Sequence, residues 1–132
     1  MASPIHVAVG VLIDSKGFVL LTRRLKGAHL AGYWEFPGGK VKEGESVQAA
    51  LARELEEELG TRIRETTPLM TVSHDYGEKP VLLDVHQVKD WSGEPHGAES
   101  QPLAWVDASS LDEFNMPEAN VEIMLRIKAL LA

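Results

Sequence analysis

Apolar and polar residues alternate along several short stretches of the chain, and this two-residue rhythm is typical of β-strands. The first stretch covers residues 5–11, and the turn-forming sequence at residues 14–17 separates it from a second apolar run at residues 18–21. Two strands joined in this way predict a β-hairpin. A short extended segment is expected at residues 34–36, because the Pro37-Gly38-Gly39 that follows cannot easily continue a regular element. Three more strands are predicted at residues 69–73, 81–88 and 103–106.

Two longer segments carry the pattern of α-helices. Residues 47–59 are rich in good helix formers, and Ser46 and Gly60 stand where an N-cap and a C-terminal stop are expected. Residues 118–131 form the second predicted helix, because Val121, Met124 and Leu125 recur at helical spacing. Strands and helices therefore follow one another along the chain, which predicts a fold that mixes α and β elements.

The composition narrows the class of protein. With 132 residues, 44% of them hydrophobic, and no linker rich in Pro, Gly or Ser, the chain is expected to fold as one domain over residues 1–132. The absence of cysteine excludes a disulfide framework, a Cys-ligated metal and a cysteine nucleophile. The apolar stretch at residues 7–13 is too short to span a membrane and has no basic region before it, so a cytoplasmic protein without a membrane partner is expected.

Acidic residues outnumber basic ones, with 20 Asp plus Glu against 13 Lys plus Arg, so the formal net charge is −7. Such a chain lacks the positive field that gives nucleic-acid binders most of their affinity. A nucleic acid polymer is therefore not an expected partner. Independently of the charge, a monomer or weak dimer is expected.

Three carboxylates share one face of the first predicted helix. Because a helix turns by about 100° per residue, Glu54, Glu57 and Glu58 lie within one arc, whereas Glu56 points almost the opposite way. Like charges at this spacing destabilise a helix unless something compensates them, and a divalent cation would do so. Oxygen ligands at this density suit Mg²⁺ or Mn²⁺, which also bind phosphate. The alternative interpretation is an ordinary solvated acidic surface.

Glycines and charged residues flank these carboxylates at fixed offsets. Gly39 is followed after five residues by Glu45, and after seven more by the run Arg53-Glu54-Leu55-Glu56-Glu57-Glu58-Leu59-Gly60. This pattern resembles the signature of the Nudix hydrolase family, and only Thr61 departs from it, since the family has an aliphatic residue there. Residues 39–46 also differ by one position from a P-loop, but Glu45 replaces the phosphate-binding lysine, which disfavours a kinase or GTPase.

The resemblance implies an α+β protein with the Nudix fold, in which a mixed β-sheet is sandwiched between helices in an α/β/α arrangement. It also implies metal-dependent hydrolysis of a nucleoside diphosphate linked to another group. Glu54, Glu57 and Glu58 would then be metal ligands, together with the backbone carbonyl of Gly38. The cofactor implied is Mg²⁺, with Mn²⁺ as a substitute, and Arg53 would orient the carboxylates by ion pairing.

The resemblance extends to the MutT-type branch of the family. It is carried by short motifs spread over the chain: Val7-Ala8-Val9-Gly10, Thr22-Arg23-Arg24, Ala28-His29, Glu35-Phe36-Pro37-Gly38-Gly39-Lys40, Gly93-Glu94-Pro95, Gln101-Pro102 and Pro117-Glu118-Ala119-Asn120. By this resemblance Glu99 is a further metal ligand or proton acceptor, and Asn120 reads the base. Arg24, His29 and Phe36 would lie near the nucleotide. Each also has a structural interpretation, as a solvated loop charge, a helix-capping amide or a packing residue.

The resemblance implies a Mg²⁺-dependent pyrophosphohydrolase that converts 8-oxo-dGTP to 8-oxo-dGMP and pyrophosphate, and so cleanses the DNA precursor pool. Two alternatives remain open. One is the same chemistry on another substrate, such as CTP, dCTP, several triphosphates or another nucleoside diphosphate derivative. The other is a nucleotide-sensing domain without turnover, which the complete set of glutamates disfavours. Asp84 and His86 interrupt an otherwise apolar strand, and we expect them to alter a wall of the pocket.

Overall fold

The computed structural model describes residues 4–28, 30–75, 77 and 79–132. The strands and helices follow one another in this order: β1 Ile5–Leu12, β2 Phe18–Arg23, β3 Trp34–Glu35, β4 Gly38–Lys40, α1 Val47–Leu59, β5 Arg62–Ile63, β6 Thr66–Asp75, β7 Pro80–Val88, β8 Trp91–Ser92, β9 Leu103–Asp107, a 3₁₀ turn Ala108–Glu113, and α2 Glu118–Leu130. The predicted helices and longer strands are all present, and the mixed α and β composition is confirmed.

The main sheet has four strands in the order β4-β1-β7-β6. β1 runs parallel to β7, with Ile5 opposite Val81 and Leu12 opposite Val88, and antiparallel to β4. β6 is antiparallel to β7 and carries a register irregularity between Pro68 and Met70. The sheet is therefore mixed, as expected. A second sheet has the order β3-β2-β9, and β5 pairs with β8.

The predicted hairpin between the first two strands is only partly correct. The turn forms as expected, since the Asp14 backbone N–H donates to Phe18 O and the Gly17 N–H donates to Asp14 O. Beyond a single bridge between Ile13 and Val19, however, the two strands do not pair with each other. β1 joins the main sheet and β2 joins the second sheet. Their stronger partners lie far along the chain, so the local pattern could not reveal them.

The segment after Phe36 also differs from expectation, because Gly38–Lys40 forms a strand instead of ending one. β4 pairs with β1, with Gly39 opposite Ala8. Gly38 has a φ of +155°, a backbone conformation that residues with a side chain rarely adopt. A Cβ at that position would also collide with the carbonyl of Ala8. Glycine therefore lets this strand approach the sheet, and that approach brings the loop before α1 close to β1.

Helices cover both faces of the main sheet, which confirms the expected layers. α1 packs on one face, where its Leu51, Leu55 and Leu59 are fully buried against Ala8, Leu12, Leu20 and Val88. α2 packs on the other face, through Ile123 and Ile127 among others. Alternate residues of β1 face each helix, as the pleat of a strand requires. Within the described part of the chain, no helix has the length and apolar character needed to cross a bilayer.

Both ends of α1 form as its sequence indicates. The Ser46 hydroxyl accepts a hydrogen bond from the Ala49 backbone N–H at 3.0 Å. At the other end Gly60 adopts a left-handed conformation with φ of +65°, and its N–H donates to Glu56 O. The buried leucines fix the rotation of the helix about its axis. Glu54 and Glu58 consequently lie half-buried beside this apolar face, whereas Glu57 is exposed.

Candidate active site

Arg53 lies at the centre of the acidic group on α1 and the loop before it. Its Nε and Nη2 donate to the two carboxylate oxygens of Glu45, at 2.9 and 3.0 Å. Nη1 donates to Glu54 Oε1 at 2.8 Å and lies 3.8 Å from Glu57 Oε2. Nη2 also donates to the carbonyl of Lys40 at 3.0 Å. The ion pairing expected of Arg53 is therefore present, and it links the helix to the end of β4.

The carboxylate of Glu54 lies directly against the backbone of Gly39. A Cβ built on Gly39 would overlap all three atoms of that carboxylate. Gly39 is not among the residues with positive φ, so its backbone conformation does not itself require glycine. The glycine is needed for space, since any side chain at this position would displace Glu54.

Glu58 has the most perturbed ionisation of the carboxylates. Burial, together with the negative charges of Glu54, Glu99 and Glu35, raises its pKa to about 8. A hydrogen bond from the backbone of Gly38 acts in the opposite direction. The Gly38 N–H is therefore the group that faces Glu58, while a ligand role for the Gly38 carbonyl stays a prediction. Four carboxylates close enough to affect one another form a strongly anionic site.

This donor set fits a hard divalent cation that retains water. Among the residues the structure describes, no three carboxylate or imidazole groups converge tightly enough to hold an ion by themselves. Yet the charge on Glu54 and Glu99 opposes ionisation of Glu58, and a cation would relieve that repulsion. Mg²⁺ typically takes only one or two carboxylates and completes its octahedron with water and phosphate oxygens. An open, water-accessible cluster of oxygens suits that mode of binding.

Glu99 reaches this site from the loop between β8 and β9. It lines a surface trough with Glu58, Glu35 and Arg24. The loop is tied to the C-terminal end of α1, where the backbone N–H of Ala98 donates to Glu58 O at 3.0 Å. The structure therefore brings Glu99 to the helical carboxylates, as the sequence predicted, although they are distant along the chain.

Next to the carboxylates lies a cavity of about 200 Å³. Its lining combines apolar side chains with Arg24, Glu35 and Asn120. Phe36 also lines it, and the Phe36 backbone N–H donates to Asn120 Oδ1 at 3.3 Å. Arg24 Nη1 donates to Glu35 Oε1 at 2.8 Å, while burial raises the pKa of Glu35 against the influence of Arg24. Three of the four residues predicted to contact substrate thus share one pocket. The fourth, His29, lies outside the described residues.

The expectation that Asp84 and His86 alter the pocket wall is wrong. The wall is built from Val81 and Leu83, whose side chains point to the other face of β7. Asp84 Oδ2 lies 3.1 Å from His6 Nε2, across the neighbouring strand β1. His86 lies 3.6 Å from Asp84 Oδ1, and its Nδ1 lies 2.8 Å from the Thr66 hydroxyl. These polar residues bond to one another on the α1 side of the sheet.

Sequence reasoning missed three residues of the site. Glu35 was noticed only as part of a motif, yet it pairs with Arg24 inside the pocket. Thr61, the single departure from the family signature, is fully buried, and its hydroxyl lies 3.0 Å from Ser92 O and 2.7 Å from Gly93 O. Gln101 bonds both to α1 and to the Glu99 backbone. The available signal in each case is a polar residue within a recognised motif.

Carboxylates that suit a divalent cation lie beside a pocket with an amide and an ion pair, an arrangement compatible with metal-assisted hydrolysis. Comparison with known proteins agrees. The model of the NUDIX domain matches residues 8–126. The chain belongs to the Nudix family of hydrolases, which generally use divalent metals and act on pyrophosphate bonds.

Individual relatives cover nearly the whole chain. The 8-oxo-dGTP diphosphatase of Escherichia coli K12 is 32% identical over 126 residues, which are 96% of this chain and 98% of the relative. The CTP pyrophosphohydrolase of the same organism is 33% identical over 126 residues, covering 94% and 92%. A solved structure from an analysis of MutT of Aliivibrio salmonicida and Vibrio cholerae matches with a TM-score of 0.82 and 34% identity, covering 95% of this chain and 96% of that one. The chain is therefore similar to MutT proteins in both sequence and fold.

Proposed function

We propose that this chain is a Mg²⁺-dependent pyrophosphohydrolase that converts 8-oxo-dGTP to 8-oxo-dGMP and pyrophosphate. Such an activity removes an oxidised precursor from the nucleotide pool before it can be incorporated into DNA. The similarity to 8-oxo-dGTP diphosphatases supports the reaction and the substrate. A cytoplasmic location, where that pool is found, accords with this role.

The observation that carries the substrate proposal is the hydrogen bond between Phe36 and Asn120. Because the Asn120 oxygen accepts from a backbone N–H of the neighbouring element, the orientation of its amide in the pocket is fixed. The amide offers two N–H donors, and its oxygen retains a second lone pair. On the purine edge that carries N7, oxidised guanine presents an N–H beside the carbonyl oxygen O6, whereas ordinary guanine presents two acceptors there. A fixed amide matches that donor and acceptor pair.

In the proposed mechanism Asn120 and Phe36 bind the base. Arg24 and Glu35 form the wall of the same pocket on the side where the phosphates would lie. A divalent cation bound by the glutamates would neutralise the polyphosphate and stabilise the leaving oxygen. We assign Glu54, Glu57, Glu58 and Glu99 to this cluster, with the carbonyl of Gly38 as a further oxygen donor. Arg53 keeps Glu54 and Glu57 on the side that faces the substrate.

The chemical step adds water to a phosphorus atom and breaks one phosphoric anhydride bond. The oxygen released from that bond takes the bonding electron pair, so that monophosphate and pyrophosphate result, and one carboxylate of the cluster accepts the proton of the water. Glu58 and Glu99 line the same trough and are both candidates for that acceptor. Since the carboxylates interact electrostatically, their protonation belongs to the group as a whole.

A second candidate function keeps this chemistry and changes the base. The similarity to a CTP pyrophosphohydrolase is almost as extensive as that to the 8-oxo-dGTP diphosphatase. A pyrimidine would also fill part of the pocket formed by Phe36 and Asn120. Substrate preference is therefore the property to measure first.

A nucleotide panel tests both candidates. The protein is incubated with Mg²⁺ and equal concentrations of 8-oxo-dGTP, dGTP, CTP and dCTP, and monophosphate and pyrophosphate are quantified. We expect the highest kcat/KM for 8-oxo-dGTP. A preference for CTP or dCTP would support the second candidate, and equal efficiency on all four would contradict the sanitation role. Binding of nucleotides without turnover would contradict both enzymatic proposals.

A further inference from the structure

The loop that carries Glu99 is attached to the C-terminal turn of α1 by several hydrogen bonds. The backbone N–H of His96 donates to Leu59 O, and that of Ala98 donates to Glu58 O, both at 3.0 Å. Thr61 fixes the start of the loop through the carbonyls of Ser92 and Gly93. The bonds from His96 and Ala98 satisfy carbonyl groups that a helix end leaves without intrahelical partners. They do not by themselves reach the backbone of Glu99.

Gln101 makes that connection with both ends of its side-chain amide. Its Nε2 donates to the Glu58 carbonyl at 2.7 Å, and its Oε1 accepts from the Glu99 backbone N–H at 2.9 Å. The residue is only 9% exposed, so water competes little for these bonds. One side chain thus bridges two carboxylate-bearing residues, Glu58 and Glu99, that line the same trough.

The loop around this bridge has little freedom to rearrange. Ser100, between Glu99 and Gln101 in the sequence, has a φ of +69°, a conformation that non-glycine residues seldom adopt. The Ser100 N–H donates to Gly97 O at 2.9 Å. A Cβ on Gly97 would collide with the carbonyl of Gln101, so the turn is tightly packed. An uncommon backbone conformation persists when surrounding contacts hold it, and the Gln101 amide is the contact that spans the turn.

We propose that Gln101 is a positioning residue that holds Glu99 at a fixed place relative to Glu58 for the hydrolytic step. In this role Gln101 acts through the backbone of Glu99, whose N–H donates to its side chain. The helix end itself does not depend on Gln101, because Ala98 already donates to the same Glu58 carbonyl. The inference rests on the proposed function for its catalytic consequence, and on the two hydrogen bonds alone for the bridge.

The values of kcat and KM for the variants Gln101→Met and Gln101→Asn test this role. Methionine matches the length of glutamine without its hydrogen bonds, and asparagine is too short to reach both partners. We expect kcat with Mg²⁺ and the best nucleotide to fall about 10- to 100-fold, the range seen when outer partners of metal ligands are removed, with KM little changed. Gln48→Met, the same change at an exposed residue of α1, should leave kcat as in the unmodified protein.

A double-mutant cycle with Glu99→Gln separates positioning from general stability. If Gln101 acts through Glu99, then Gln101→Met should lower kcat little further once Glu99→Gln is present. If kcat of the double variant instead fell by the product of the factors measured for the two single variants, the proposal would be overturned. Amide hydrogen exchange supplies a readout that needs no turnover: the Glu99 N–H should lose protection in Gln101→Met but keep it in Gln48→Met. Unchanged protection would refute the bridge, whereas a wild-type protein without turnover would refute only the proposed function.

Discussion

Arg53 and Glu45 form a bidentate ion pair, in which Nε and Nη2 each lie within 3.0 Å of one carboxylate oxygen. The hydrogen bonds from Arg53 lower the pKa of Glu45 to about 2, and the same pairing raises the pKa of Arg53. Glu45 is therefore ionised at neutral pH. Its role is to fix the guanidinium, whose remaining nitrogen then meets Glu54.

Replacing Arg53 by lysine should preserve the charge but lose the planar fork that contacts Glu45 and Glu54 together. We expect kcat/KM to fall about 10- to 100-fold, as for other partners that orient metal ligands, with a smaller change in the free energy of unfolding. Steady-state kinetics with Mg²⁺ would measure this. Arg62→Lys, at an exposed position just after α1, serves as the control. Equal activity of the two variants would show that the fork is dispensable.

Glu57 and Glu56 form a matched pair for testing the carboxylate cluster, because they are adjacent and exposed but lie on different sides of α1. Glu57→Gln should reduce kcat by more than the roughly 10- to 100-fold that loss of an outer-shell partner costs. Glu56→Gln should change kcat little. Thermal unfolding of both variants without metal should resemble that of the unmodified protein. The assignment of Glu57 fails if its amide variant keeps full activity.

Gly39→Ala should displace the Glu54 carboxylate by occupying the space in which it lies. Since the end of a flexible side chain can move at low cost, we expect the protein to fold but to bind Mn²⁺ more weakly and to turn over substrate more slowly. Calorimetric titration with Mn²⁺ and measurement of kcat would follow the change. In a chain that already carries Glu54→Ala, the glycine substitution should add little. A similar additional loss there would mean that Gly39 acts by another route.

The raised pKa of Glu58 predicts how stability depends on pH without metal. A carboxyl whose pKa is about 8 in the folded protein, against 4.5 as its usual value, favours folding while it is protonated. That contribution is complete below the usual pKa and disappears as pH rises through about 8. With EDTA present, the free energy of unfolding should therefore decline between about pH 5 and pH 8.5.

Denaturant unfolding of Glu58→Gln isolates this contribution, because glutamine stays neutral across the same range. The decline with pH should be shallower in Glu58→Gln than in the unmodified protein, and Glu56→Gln should leave it unchanged. Adding Mg²⁺ should stabilise the unmodified protein most at the alkaline end, where the carboxylates are ionised and bind cations best. Parallel curves for all three proteins would show that Glu58 ionises normally.

Asn120→Ala removes the amide that we assign to base recognition. Selectivity for 8-oxo-dGTP over dGTP, expressed as the ratio of kcat/KM values, should fall roughly 10- to 100-fold, the usual worth of a paired hydrogen bond to a base edge. The Mg²⁺ concentration giving half-maximal rate should stay the same. Asn115→Ala, at a nearby exposed position, should alter neither quantity. An unchanged ratio for Asn120→Ala would remove this residue from the specificity pocket.

The features that could be predicted from sequence are those whose causes lie within one segment. The helix from residue 47 to 59 has its cap, its apolar face and its stop within fifteen consecutive positions, and it forms as expected. The grouping of Glu54, Glu57 and Glu58 follows from helix geometry alone. A resemblance to a known family supplied the layers of the fold, which the pattern of strands by itself left open.

The features that escaped prediction depend on partners remote in sequence. Gly38–Lys40 forms a strand because it pairs with the edge of β1. The three residues themselves carry no sequence pattern that predicts this pairing. Asp84 was expected at a pocket wall, but its orientation is set by the pleat of β7 and its partner His6 lies 78 positions away. Likewise, Gln101 bonds to a carbonyl 43 positions earlier. Such contacts have no periodic signature.

The central position of β1 in the main sheet has a consequence for how the chain folds. β1 is flanked by β4 and by β7, so one of its partners comes from the middle of the chain. Closing that long loop slows folding, because its entropy is lost before the parallel pairing compensates for it. During synthesis, until residues 80–88 have left the ribosome, the nascent chain exposes one edge of β1 and the apolar surfaces beside it. The nascent chain is most prone to aggregation during that interval.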